Sequence, residues 1–508
     1  MKIKIALLSL LVAVAFIRNA TGDNYNYAIN LNLPLNYSQN AFNYHTENPN
    51  QPLLTEQQAK EKLADYKQRY FFPWSDKNPQ TTFCILAKPD KNTCNDVKAI
   101  QQEDITYFQD KTEYDEDYLP YNIKDWLANM ANQMDLNNFP NEPCNQHQCY
   151  GIIIKNSALR VFPTAEPFFA NPQTPGEGYP FDYLQISAIW LGTPVQIVQH
   201  SVDKKWYLIK SQGILGWVPE KNVGRVSSEF INQWKNSNYT TLVQRRIIIE
   251  PNQYLYLGVI FPLVSSSEDS YHIQIPVLSP TRFGYTLVKT ISISKQSARP
   301  WPLMTSPNNF NVVMNALIGM PYGWGGINFN SDCSETTRRV MSDFAIWLPR
   351  NSSWQGTFAG KEYSLANMSV TERRQWLIDQ NGPAQLLPYL TLITFGHTAT
   401  SVSHVGMYMG SFNIDGEQHA MMFNSAWGLG LLSTSNSSEN TVGRAIIGKA
   451  SIIPLNYGTE FLQSLLQNGL YLKTLWTTTG FNVTLLNESS MALQRLTQPL
   501  PLSAYVLS

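Results

Sequence analysis

The chain has 508 residues, a formal net charge of −1 and only 15% charged residues. That balance leaves no basic footprint for nucleic acid, while 43% hydrophobic and 12% aromatic residues are ample for packed cores. A length of this order predicts three or four domains.

Met1-Lys-Ile-Lys4 is a short basic segment, Ile5 to Ile17 an apolar run and Ala20-Thr-Gly22 a small-residue cleavage site, so residues 1–22 read as an export signal. The run is too short to span a membrane, and no later stretch is long and apolar enough to do so. The expectation is an exported monomer, periplasmic or secreted, with no integral membrane span. Asn-x-Ser/Thr triplets at Asn36, Asn238 and Asn482 reflect the asparagine-rich composition rather than glycosylation.

Residues 23–148 are polar and helical in pattern. Leu54-Thr55-Glu56 resembles a helix start, and the spacing of Trp126, Leu127, Met130 and Met134 predicts a second helix. The aromatic cluster Tyr70 to Trp74 is expected to dock on a neighbouring unit. Of the five cysteines, Cys84 with Cys94 and Cys144 with Cys149 form two local pairs, expected as disulfides in an exported chain. Cys144, His147 and Cys149 lack a fourth metal ligand, which favours the disulfide over a metal site.

From Tyr150 the texture changes to short apolar strands separated by turns, through Gly151–Ile154, Leu184–Ser187, Thr193–Val198, Lys205–Ile209 and Gly216–Val218. The pattern predicts a small barrel over 149–228. Leu159 to Thr164, Asp182 to Gln185, Ser201 to Asp203, Trp206 and Gly216-Trp217 resemble a bacterial SH3-like domain, a module that accompanies cell-wall peptidases. Residues 229–302 look like a second, more divergent copy. Such barrels serve as spacers or as glycan binders, and the sequence leaves both open.

Residues 303–455 carry the chemistry. Phe310 to Ile318 reads as a short helix, and Tyr322-Gly-Trp-Gly-Gly326 leads to Asp332-Cys333-Ser334. Thr337, Val340, Met341 and Phe344 then follow at helical spacing as one buried face. This pattern plants Cys333, the cysteine without a nearby partner, in a helix first turn, where the dipole lowers a thiol pKa. The alternative is a buried structural cysteine. A thiolate nucleophile needs a base, and His404 opens a strand with Val405, Met407 and Met409 on one face and His404, Gly406 and Tyr408 on the other. Gly406 is expected to leave room for a substrate or a helix beside the imidazole. The alternative for His404 is a surface histidine at a strand edge.

Pro321 to Gly326, Asp332-Cys333-Ser334, Leu348-Pro-Arg350 with Ser352 and Gln355, and Ser403 to Gly406 together resemble the NlpC/p60 superfamily of papain-like cysteine peptidases. The layout resembles the subgroup that hydrolyses γ-D-glutamyl–diamino acid bonds of murein stem peptides. The resemblance implies a multidomain protein: an α+β papain-like peptidase domain, preceded by two small all-β SH3-like barrels and an N-terminal mostly helical region, with 456–508 as a C-terminal extension. It implies Cys333 as nucleophile and His404 as base. It implies that Asp332, Ser334, Tyr322, Trp324 and Ser352 line the substrate pocket, where a carboxylate beside the nucleophile would pair with a free α-amino group. The other role open to Asp332 is a turn residue or helix cap. No metal or organic cofactor is implied.

Two departures stand out. Glu335 replaces the small residue the family usually has; a carboxylate near the thiol opposes thiolate formation, whereas one pointing to solvent changes little. The family's orienting residue, most often histidine, falls on the strand after His404, where the candidates are Asn424 and His419. They lie five positions apart and so face opposite ways in a regular strand. The hydrophobic pair before the polar residue selects Asn424, with His419 as fallback. Two other functions stay open: a wall-binding protein with an impaired peptidase domain, and a secreted papain-like protease or amidase acting on other peptides.

Overall fold

The computed structural model describes residues 29–490 apart from 33–34, 45–47, 85–93, 141–148, 175, 397–401, 434–442, 458–469 and 473–474. The export segment, Cys144 and His147 therefore lie outside the described residues. Among the described residues no helix is long and apolar enough to cross a membrane.

The N-terminal region is built on helices Glu56–Tyr70, Val97–Phe108 and Ile123–Gln133. The first starts where the sequence predicts: Thr55 and Gln58 form a reciprocal capping box. Leu127, Met130 and Met134 are buried as their spacing requires. The middle helix, capped by Asp96 on Ala99 N–H, has a weaker apolar pattern and was not anticipated. The aromatic cluster docks as expected. Trp74 Nε1 donates to Gly151 O at 2.8 Å and Tyr70 Oη to Gly192 O at 3.2 Å, both in the first β-rich unit.

That unit is a seven-stranded sheet ordered Val223–Arg225, Tyr150–Ile153, Pro194–His200, Trp206–Ser211, Ile214–Pro219, Ser157–Arg160 and Gln185–Ile189. Its order is linear, so it is an SH3-like sheet rather than the closed barrel expected. The second unit has a five-stranded sheet and a separate hairpin, Arg246–Glu250 with Gln253–Tyr256.

The C-terminal half centres on an eight-stranded sheet in which Gly443–Pro454, Glu417–Ser433, His404–Ile414, Thr391–Gly396 and Gly480–Leu485 are successive neighbours. It draws in chain from both sides of 303–455. Ile29–Asn32 pairs in parallel with Gly443–Ile446, and Gly480–Leu485 is an inner strand beside Thr391–Gly396. Phe481, Val483 and Leu485 are fully buried there, completing a core that residues 303–455 alone leave open.

The expected staple between Cys84 and Cys94 is present. Cys149 is also disulfide-bonded. Closing the short Cys84–Cys94 loop constrains the unfolded chain, so Cys84→Ser with Cys94→Ser is expected to lower stability by roughly 2–3 kcal/mol. An unchanged urea midpoint in the double variant would show that the bond restrains little.

Candidate active site

Asp332 is the N-cap of helix Cys333–Asp343, its carboxylate accepting from Glu335 N–H at 2.8 Å, and Cys333 is the first helical residue. The stripe Thr337, Val340, Met341 and Phe344 is buried, but so is every other residue of the helix except Arg338. A pattern of one apolar face understates the burial because three other units close around the polar faces. Tyr66 of the N-terminal region hydrogen-bonds Ser342 Oγ at 2.5 Å. Trp190 of the first β-unit donates to Glu335, and Leu257 O and Thr241 of the second meet Arg339 and Asp343.

The glycine-rich segment before the helix is dictated by the same packing. Gly325 and Gly326 have φ of +56° and +76°, and a Cβ on Gly325 would lie 2.1 Å from Gln185 O. Strand Gln185–Ile189 approaches so closely that side chains are excluded on both counts.

On the sheet, His404 opens its strand with Val405, Met407 and Met409 buried behind it, as the alternation predicts. Its Nε2 is 3.1 Å from Asn424 Oδ1. With that oxygen toward the ring, Nε2 carries the proton and Nδ1 keeps the lone pair a general base needs. His419 does not share this face: its Nδ1 meets Asn456 Oδ1 at 3.2 Å and its ring packs edge-on against Tyr37. Gly406 serves a different purpose from the one expected. A Cβ there would meet Met422 Sδ at 2.3 Å and Asn424 Cβ at 3.1 Å, so the glycine admits the orienting strand rather than a substrate or a helix.

Helix and sheet meet at one cleft of about 60 Å³. Tyr322, Trp324, Asp332, Cys333, Ser334, Ser352 and Ser403 line one side, and Ile186, Ile214 and Leu215 of the first β-unit with Phe83 of the N-terminal region line the other. The Cys333 sulfur is reached by the backbone N–H of Ser334 and of Val405, the residue after His404. Arg350, which sequence reasoning treated only as part of a matching fragment, holds the floor. Its guanidinium grips Asp332 bidentately at 3.2 and 2.7 Å, donates to Ser334 Oγ at 2.9 Å, and donates through Nε to Ser187 Oγ at 2.8 Å. Asp332 also accepts from Gly325 N–H at 2.9 Å. Gln355 ties the two sides of this floor, donating to Ser334 O and Pro349 O. No local sequence signal reveals the contributions of Phe83, Ile186 or Ser187, since they come from other units.

Residues 319–450 match the NlpC/P60 family, 167–219 an SH3 domain of the SH3b1 type, and 33–139 the N-terminal stabilising domain of NlpC/P60 proteins. A solved NlpC/P60 endopeptidase from Photobacterium damselae subsp. piscicida is 36% identical, with a TM-score of 0.84 over 91% of this chain and 100% of its own. The chain belongs to the NlpC/P60 family. It is thus an endopeptidase-type cell-wall hydrolase with an SH3b-type domain and an N-terminal stabilising region. An NlpC/P60 family protein from Bacillus cereus ATCC 10987 is matched at 18% identity over 65% of this chain and 98% of its own, but its TM-score of 0.40 carries no argument. No curated protein gives a significant match.

Two electrostatic features depart from expectation. Burial, and then the Asp332 carboxylate, push the Cys333 thiol up to about 12, against the backbone N–H groups and Arg350 that favour the thiolate. The helix dipole is real, but desolvation of a buried sulfur outweighs a partial charge at the first turn. Burial also lowers His404 to about 4, opposed by its bond to Asn424 and by Asp332. Between those values both groups are neutral, so the resting pair is thiol and imidazole rather than thiolate and imidazolium. Glu335 does not point to solvent: it is buried, with its carboxylate against Trp190 Nε1 and the Arg338 and Arg350 guanidiniums. Among the described residues no group of three His, Cys, Asp or Glu side chains is arranged to hold a metal ion.

A protonated thiol gives a direct expectation. In substrate-free protein the iodoacetamide rate at Cys333 should rise about tenfold per pH unit from pH 6 to 9, because only the thiolate reacts. A rate flat across that range would mean a preformed ion pair. On the acid side, kcat/KM should fall only as pH drops through about 4, where His404 takes a proton.

Proposed function

We propose that the chain cuts murein stem peptides at the amide bond between the D-glutamate γ-carboxyl and the diamino acid, by thiol acyl transfer. The observation that carries this reading is the meeting of Cys333, on a helix start in a cleft floored by Asp332, Ser334 and Arg350, with the strand of His404, whose next residue Val405 sends its backbone N–H to the sulfur and whose ring is held by Asn424.

His404 Nδ1 takes the Cys333 proton as the sulfur attacks the carbonyl carbon, forming the C–S bond and an oxyanion. The oxyanion is held by the Cys333 backbone N–H and a second donor. Collapse breaks the C–N bond, and the imidazolium returns the proton to the leaving amine. Water then attacks the thioester, His404 again taking a proton, which releases the acid and restores the thiol. Because the resting pair is neutral, the proton moves with the attack instead of before it, and substrate binding in the cleft sets the geometry that makes this step productive. Asp332 and Ser334 receive the substrate's free amino end, with Tyr322 and Trp324 as its aromatic wall and Ser352 as a further contact. Asp332 carries both roles weighed from sequence, since capping the helix fixes the carboxylate that meets the amine. No step calls on a metal or organic cofactor. The export signal and disulfide-bonded cysteines fit work outside the cytoplasm.

An impaired wall-binding protein is disfavoured by the His404–Asn424 bond, because the missing second histidine leaves no gap in the site. Purified protein incubated with defined muropeptides and read by mass should release products cut after D-glutamate; products cut elsewhere, or none, would overturn the reading. Cys333→Ala should abolish cleavage. His404→Ala should lower kcat by roughly 10²–10⁴-fold, the range for losing a general base. Asn424→Ala should cost clearly less, since an orienter supplies tautomer and geometry only. His419→Ala should stay within about twofold of the parent. A large loss there with near-parental Asn424→Ala would reassign the orienter.

A further inference from the structure

Glu335 follows the Asp332-Cys333-Ser334 triplet in the first turn of helix Cys333–Asp343. It is 1% exposed and sits behind the cleft floor rather than in it. Its Oε1 accepts from Trp190 Nε1 at 3.1 Å, and its Oε2 lies 3.3 Å from Arg338 Nη1 and 3.6 Å from Arg350 Nε. Arg350 is thus bracketed by two buried carboxylates, Asp332 on the cleft side and Glu335 behind. Arg338 contacts Glu335 from the far side and also reaches Gln212. Arg339, fully buried one position on, feels Glu335 as well.

The arithmetic of charge gives Glu335 a task. Asp332 and Arg350 form a closed pair, and with Arg338 beside them the group would turn one net positive charge toward an incoming ammonium group. A second carboxylate against the same guanidinium offsets part of its positive charge, and in a buried network that effect is weakly screened. We propose that Glu335 is a positioning residue for specificity, one that draws on Arg350 so that the Asp332 carboxylate is less fully neutralised and so selects peptides with a free α-amino group. This rests on the stem-peptide reading above. Glu335 touches no substrate, and the first β-unit takes part because Trp190 and Ser187 fix Glu335 and Arg350 in this arrangement.

The test compares two substrates on full-length protein: a stem tripeptide beginning with L-alanine, and its desamino counterpart beginning with a propionyl group. The parent should prefer the amine by kcat/KM. Glu335→Gln keeps the oxygen that accepts from Trp190 and removes only charge. It should reduce that preference about tenfold, mainly through a higher KM for the amine, with kcat on the two substrates moving together. Arg338→Met removes the cation behind Glu335 and should shift the preference the other way, upward about threefold. That second variant decides the matter if Glu335→Gln does not fold. A preference unchanged within twofold in Glu335→Gln, a uniform loss on both substrates, or a fall or no change in Arg338→Met would overturn the inference. Failure of the parent to cleave the tripeptide at all would instead overturn the functional reading beneath it.

Discussion

The Asp332 carboxylate is the joint on which the catalytic half depends. One side chain caps the nucleophile helix, receives the Gly325 N–H that folds the glycine-rich segment, and anchors the Arg350 guanidinium. Each contact is a charge-assisted hydrogen bond in a buried setting, stronger than a neutral pair and costly to leave half-made. A buried ion pair of this kind adds little net stability over apolar packing, but removing one partner strands the other at a cost of about 3–5 kcal/mol. The pair's value is therefore positional. It fixes where the helix begins, and the helix start fixes Cys333.

The same joint explains why the peptidase domain does not stand alone. Arg350 finds its remaining acceptor in Ser187, Glu335 its donor in Trp190, and Gly325 its neighbour in Gln185. All three partners lie in or next to one edge strand of the first β-unit. Spacer or glycan binder, the two roles the sequence left open, both treat this unit as separate from the chemistry. Ile186, Ile214 and Leu215 instead make it a wall of the cleft. The second β-unit clasps the far end of the nucleophile helix through Leu257 and Thr241.

What the sequence made legible follows from the range of each interaction. Local rules placed the helix start at Thr55, the helix start at Cys333, the alternation around His404 and the Cys84–Cys94 pair, because cap, period and loop closure each act within a few residues. Alternation put Asn424 and His419 on opposite faces, and the match of the hydrophobic pair before Asn424 chose between them. Long-range contacts stayed hidden. Nothing near position 83 or 187 announces an active site, and Gly480–Leu485 gives no sign that it completes a sheet begun ninety residues earlier. Glu335 stayed open between two readings for the same reason: Arg338 is only three positions on, but Trp190 and Arg350, which fix its buried setting, are distant in the chain.

Burial of the nucleophile joins reactivity to environment. A free thiol in a chain that also carries disulfides faces exchange and oxidation, and both proceed through the thiolate. The helix dipole by itself would make Cys333 a standing target. Desolvation by the surrounding units, with Asp332 adding its negative charge, keeps the proton on sulfur and removes the reactive form at rest. The backbone N–H groups of Ser334 and Val405 already point at the sulfur, so the partial negative charge it takes on as its proton leaves meets donors in place. A neutral imidazole with a depressed pKa is a weak base, yet it is wholly unprotonated at neutral pH, and Asn424 holds it in the tautomer that can accept the proton. On the proposed mechanism the site is quiet until a peptide fills the cleft and brings an electrophilic carbonyl against the sulfur. In this chain the units that wall the cleft are also what hold the nucleophile in reserve.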